Sequence, residues 1–268
     1  MGESRANPVA SASTPGKPTI NIQSTSHRYR KAGRLASRAS ASLLALCAGC
    51  MSVTMPGKSH QGPQPPLTSV ERELKTTLEG HVRHLADDIG ERNLVHYAQL
   101  NESADYIEKV FKSHHYGVDR HTYHAPPGSL ARRWDSTNYP EQEYVNVVAE
   151  LPGTRHPEKI IVVGAHYDSV AKVPGCRGAN DNASGVAAVL ALAKLFAGRP
   201  QAKTIRFVAF TNEEPPFFWK SVMGSYVYAR DCADNGDQIE AMLTPETIGY
   251  YSDEKGSQDY PPPMSMFY

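Results

Sequence analysis

Two short stretches of the chain end apolar runs in groups that could do chemistry. His166 and Asp168 stand two residues apart in "GAHYDSV" (164–170), at the end of "KIIVVGAH" (159–166). Glu213 and Glu214 adjoin in "FTNEEPPFF" (210–218), at the end of "TIRFVAFT" (204–211), and Asp181 lies between the two stretches in "GANDNASG" (178–185). Carboxylates crowded together repel, so they stay protonated or splay apart unless a cation holds them. One imidazole with several carboxylates suits a borderline ion such as zinc, and a carboxylate lying between two ions bridges them at about 3.5–4 Å. Asp168 is placed to accept the second N–H of His166 and fix its tautomer. Glu213 and Glu214 cannot both point the same way from an extended backbone. One can ligate while the other faces an activated water as general base, which is the arrangement hydrolysis requires. Pro215 and Pro216 stiffen the turn that presents them. Singly, a His-x-Asp is usually a surface pair at a strand end and a Glu-Glu a solvated loop. Together, in this order, they are specific.

These residues need elements to bring them together. "YVNVVAEL" (144–151), "KIIVVGAH" and "TIRFVAFT" read as strands, the last two apolar enough to be central and covered on both faces. Between those two, "ASGVAAVLALAKLFAG" (183–198) reads as an apolar helix closed by Gly198, so strand, helix and strand form a parallel crossover. In an open α/β sheet, functional groups gather beyond the carboxyl ends of the strands, which puts His166, Asp168, Asp181, Glu213 and Glu214 on one rim. Upstream, "SVERELKTTLEGHVRHLADD" (69–88) has helical apolar spacing at Val70, Leu74, Leu78, Val82 and Leu85, with Ser69 as its expected N-cap. A second helix is expected in "NESADYIEKVFKSHHYG" (101–117), opening on Asn101 and stopping at Gly117. The expected architecture is α/β and three-layered, a mostly parallel sheet with helices on both faces.

The stretch 144–251 resembles the zinc-dependent aminopeptidase family of di-zinc exopeptidases, which also holds glutamate carboxypeptidase-like enzymes and glutaminyl cyclases. "GAHYDS", "GANDNASG", "FTNEEPPFF" and "MGSYVYA" (223–229) carry the resemblance, and the helices from Ser69 resemble that family's N-terminal region. The resemblance implies His166 as a terminal ligand of a first zinc, Asp181 as the bridging ligand, Glu214 on a second zinc, Glu213 as general base and Asp168 as the support of His166. It implies an acidic residue on a later strand to complete the first site, and "PETIGYY" (245–251) puts Glu246 there, where many members carry Asp. The family's second zinc also takes a histidine far downstream, in a C-terminal region this sequence lacks. A truncated member is therefore expected, holding no more than about one zinc of the two in a complete site. The implied activity is removal of N-terminal residues from peptides. The alternatives are a glutaminyl-peptide cyclotransferase and an inactive remnant. Cys176, near the metal loop, has no ligand counterpart in the family.

The remaining sequence frames this domain. Lys+Arg and Asp+Glu balance at 28 each, which gives no reason to expect a nucleic-acid partner. Residues 1–50 read as a signal-like segment. Glu3 is the only acid in the first 40 residues, against seven Lys/Arg, and "RYRKAGRLASR" (28–38) precedes the short apolar "ASASLLALCAGC" (39–50). That run is shorter than the roughly 20 apolar residues of a membrane span. "CAGC" resembles a lipoprotein box with Cys47 where Leu is usual, so the expected location is exported, periplasmic or tethered to a membrane through lipidated Cys50, with an organellar transit peptide as the alternative. Residues 51–68, rich in Pro, Gly and Ser, read as a tether, and residues 69–268 as an incomplete catalytic domain. Spacing alone does not support a disulfide between Cys176 and Cys232.

Overall fold

The structure is a computed structural model that describes residues 62–126, 141–171, 173–250, 252 and 254. The signal-like segment and most of the tether fall outside the described residues. Among the described residues, no helix is long and apolar enough to cross a membrane.

The first helix, α1 (Ser69–Arg83), is capped by Thr68 and not by Ser69 as expected. The Thr68 hydroxyl accepts the Glu71 N–H at 3.2 Å, and the Glu71 carboxylate accepts the Thr68 N–H at 2.7 Å. This reciprocal pair needs an acid three residues after the cap, a spacing Thr68 has and Ser69 lacks. Leu85 is buried as its spacing predicts, but it belongs to a wide π-type turn, His84–Ile89, and Val70 and Leu74 stay exposed. The second helix, α2 (Tyr97–Ser113), begins four residues before the expected Asn101. Asn93 makes the earlier start workable, because its side-chain oxygen accepts the N–H groups of Val95 and His96 at 3.0 and 3.1 Å ahead of the helix.

Five strands follow: β1 (Gly117–Ala125), β2 (Gln142–Leu151), β3 (Gly153–His166), β4 (Gln201–Phe210) and β5 (Gln238–Leu243), in sheet order β1-β2-β4-β3-β5. Between them lie α3 (Ser184–Phe196) and α4 (Gly224–Asn235). β2 alone runs against the other four, so the expected mostly parallel sheet is observed. The crossover from β3 through α3 to β4 joins parallel neighbours, as read from the sequence. β1 was not foreseen, since only alternate residues near its end, Tyr123 and Ala125, are buried.

Strand alternation divides the sheet between two apolar cores. Val147, Ala149, Val163, Ala165, Phe207 and Ala209 pack with Ile107 and Phe111 of α2 and Val186 and Leu190 of α3. The intervening residues Val148, Val162, Val208 and Phe210 pack with Tyr228 and Cys232 of α4. Helices thus cover both faces, and β4 and β3 are doubly buried as their composition requires. Every residue of the edge strand β5 is exposed.

Candidate metal centre

His166 is the last residue of β3 and pairs in register with Phe210, the last of β4. The Tyr167 N–H donates to the Phe210 carbonyl at 2.8 Å, so the chains leaving both strands start from a common line. The chain beyond β4 is anchored by Asn146. The Asn146 side-chain oxygen accepts the Thr211 N–H at 3.0 Å, and its amide donates to the Gly224 carbonyl at 3.0 Å. Asn212 follows in the left-handed region, φ 58°, and donates to the Tyr123 hydroxyl at 3.0 Å. This turn presents Glu213 and Glu214.

Asp181 lies in the turn that leads into α3, and Glu246 three residues beyond β5. All these termini open on the same end of the sheet, the expected rim. His166 Nε2 is 3.1 Å from Asp181 Oδ1, 3.5 Å from Glu246 Oε2 and 3.9 Å from Glu213 Oε2. His166, Asp181 and Glu246 each offer a ligand atom, and these atoms all lie within 4.8 Å of one another. One nitrogen and two carboxylate oxygens form a donor set that fits zinc. Glu246 sits in a loop and not on a strand, and it is held by Asn182, whose amide donates to Oε2 at 2.7 Å and to the Pro245 carbonyl at 3.1 Å.

Asp168 differs in part from expectation. Its Oδ1 is 3.4 Å from His166 Nδ1, an ion-pair distance, and Nδ1 forms no aligned hydrogen bond among the described residues. Its two oxygens are instead taken by the backbone N–H groups of Glu213 at 3.1 Å and Glu214 at 3.0 Å. Asp168 therefore positions the Glu-Glu turn as well as lying beside the imidazole. Glu214 is not among the three clustered donors. Cys176 and Cys232 are both free, and neither joins the cluster.

The charges respond to this crowding. Burial disfavours the His166 imidazolium, but Asp168, Asp181 and Glu246 outweigh it and raise its pKa well above the ordinary value. The His166 hydrogen bond lowers the Asp181 carboxyl against the cost of its burial. Glu213 is raised, first by burial and then by the acids around it, with His166 opposing. Glu214 is pushed up to about 7 by burial and by Asp181 and Asp168. Carboxyls raised by burial and by neighbouring acids, as Glu213 and Glu214 are, form a charge pattern that a bound cation relieves.

Sequence reasoning missed Asn146 and Asn182, which hold the turns that carry Glu213, Glu214 and Glu246. Asn182 adjoins Asp181 within "GANDNASG", so that motif held a signal for it.

Residues 146–264 match the sequence profile of peptidase family M28. The chain is 36% identical to the uncharacterized protein YfbL of Escherichia coli (strain K12), over 71% of this chain and 55% of that protein. It is 38% identical to a probable zinc metalloprotease of Pyricularia oryzae, over 42% of this chain and 23% of that protein. It thus spans about half the length of the first relative and less of the second. Among solved structures, BSAP, a zinc aminopeptidase from Bacillus subtilis, superposes with a TM-score of 0.52 at 17% identity, covering 66% of this chain and 70% of that one. An Acidobacteriales bacterium glutaminyl cyclase superposes with a TM-score of 0.52 at 18% identity, covering 72% of this chain and 64% of that one. At such identities the structural likeness speaks for the fold alone. Residues 146–264 thus resemble peptidase family M28, and the chain shares the fold of the solved zinc aminopeptidase and glutaminyl cyclase.

Proposed function

We propose that the protein is a zinc-dependent exopeptidase that removes N-terminal amino acids from peptides, with His166, Asp181 and Glu246 holding a zinc ion and Glu213 acting as general base. The observation that carries the reading is the convergence of the three donors within 4.8 Å, with the Glu213 carboxylate 3.9 Å from His166 Nε2. A zinc bound there supplies a Lewis acid that polarises a carbonyl oxygen and lowers the pKa of water. Glu213 then takes the proton of the attacking water and passes it to the leaving amine. Asp168 holds Glu213 and Glu214 in place through their main-chain N–H groups. Glu214, on the same turn, is the carboxylate for a second ion.

The name of the Bacillus subtilis neighbour and those of the fungal relatives support hydrolysis. One observation favours a second reading, cyclisation of N-terminal glutamine: the clustered donors suit a single ion, and glutaminyl cyclases are among the structural neighbours. Export, with Cys50 as the lipidated residue, belongs to the same proposal and rests on the pattern of residues 28–50. The deciding experiment loads the purified chain with zinc and offers aminoacyl-p-nitroanilides and a glutaminyl peptide. Release of nitroaniline supports the exopeptidase. Ammonia from the glutaminyl peptide without loss of a residue assigns the cyclase instead.

A further inference from the structure

Arg92 is fully buried, with 0% of its surface exposed. A buried guanidinium usually faces a carboxylate. This one donates to main-chain carbonyls: Nε to Tyr167 at 2.5 Å, Nη2 to Gly178 at 2.8 Å, and Nη1 to Arg177, to Gly90 at 3.2 Å and to Leu85 at 3.3 Å. The main chain of the same residue adds two more ties. The Arg92 N–H donates to the Ser169 hydroxyl at 3.1 Å, and the Ser169 N–H donates to the Arg92 carbonyl at 2.9 Å. Tyr167 directly follows His166, and Gly178 lies three residues before Asp181. One planar group therefore spans the two segments that carry His166 and Asp181, whose facing donor atoms lie 3.1 Å apart.

The fit leaves little room. Gly178 has φ +57°, and a Cβ there would run into the Asp181 carbonyl oxygen and stand 2.9 Å from Ser169 Cβ and 3.1 Å from Arg92 Nη2. The charge also suits the place, because Asp168 and Asp181 partly offset the burial that lowers the guanidinium to about 10. Arg92 thus stays a cation under a cluster of acids.

We propose that Arg92 is a positioning residue for the metal centre: by joining the carbonyls of Tyr167, Arg177 and Gly178, it sets the separation of His166 and Asp181. The inference rests on those two residues being zinc ligands. Lysine keeps the charge but presents its donors from a single point and cannot reproduce the fork.

The test compares the full chain with Arg92→Lys, Ser169→Ala and Ile107→Ala, the last a buried residue of α2 with no polar side chain. Zinc affinity is read by competition with a chromophoric chelator, and amide exchange is followed in the zinc-free protein. Arg92→Lys should weaken zinc about 10- to 100-fold, the range for residues that orient ligands. It should also speed exchange at residues 167–169 and 179–183, while β1 and β2 exchange as before. Ser169→Ala should do the same to a smaller extent, and it decides the matter if Arg92→Lys does not fold. Ile107→Ala should lower stability without either change. Arg92 is not a positioning residue if its folded variant exchanges like the parent at both segments, or if Ile107→Ala weakens zinc as much. A parent chain that binds no zinc overturns the metal reading, and the exchange data then still decide the role of Arg92.

Discussion

Asp168 and Glu214 are joined across 46 residues of sequence by a 3.0 Å hydrogen bond from the Glu214 N–H to Asp168 Oδ2, while Oδ1 accepts the Glu213 N–H at 3.1 Å. A buried carboxylate two residues beyond β3 thus grips the turn that carries Glu213 and Glu214. Asp168→Asn leaves one oxygen and puts an NH2 opposite the other N–H. One charge-assisted bond is lost and a donor faces a donor, so the variant should lose about 2 kcal/mol. Urea unfolding measures this, and amide exchange at Glu213 and Glu214 should quicken selectively. Unchanged protection there would show that the turn holds itself.

Glu213→Gln preserves shape and removes the proposed base. Hydrolysis of aminoacyl-p-nitroanilides should fall by about 10²- to 10⁴-fold, with zinc affinity nearly unchanged, because the carboxamide cannot accept the water's proton. A parallel loss of zinc in the variant would make Glu213 a ligand.

How much of this could be read beforehand depended on the range of the interaction. The strands around His166 and Glu213, the helix between them and the shared rim follow from local apolar runs, and the structure has all of them. Thr68 could have been named as the N-cap, since Glu71 stands at the right spacing. β1 could not, because its polar exposed face hides the period. Glu246 was reached only through family resemblance, and its place in a loop beyond β5 depends on Asn182, a contact spanning 64 residues. Arg92 carried no signal, since an arginine in "GERN" reads as a solvated loop charge. Its burial arises only when three separate segments fold over it. α1 is the reverse case: its apolar stripe is plain, yet Val70 is 74% exposed, so periodicity located the helix without telling how much of it is covered.

The exposed edge strand is fastened by charge. Glu240 of β5 accepts hydrogen bonds from Lys203 of β4 and, at 2.9 Å, from Lys159 of β3. The two lysines hold its carboxyl down at about 2 from an ordinary 4.5. A depressed carboxyl stabilises the fold above its unfolded pKa and loses that contribution as pH falls through the folded value. Unfolding midpoints should therefore drop between about pH 4.5 and pH 2, and Glu240→Gln should remove part of that slope. Because the group is solvent-exposed, salt near 1 M should shrink the difference. Identical slopes for parent and variant at low salt would mean the lysines do not fasten β5.

The last expectation concerns how much metal the chain holds. In the proposed site His166, Asp181 and Glu246 supply three protein donors, and Glu214 lies outside that cluster. Glu214 together with Asp181 would make a poor second site, since oxygen donors without an imidazole hold zinc weakly. Elemental analysis should find no more than about one equivalent of zinc bound tightly, and His166→Ala should abolish it by removing the nitrogen donor. Asn182→Ala keeps every ligand but frees the Glu246 carboxylate from its 2.7 Å hydrogen bond, so zinc affinity should fall about 10-fold or more with the fold retained. Chelation of the parent should lower its melting temperature and leave that of His166→Ala unmoved, because only the parent gains free energy from metal bound to the folded state. Two tight equivalents in the parent would mean that Glu214 and Asp181 find a further donor beyond the three assembled here.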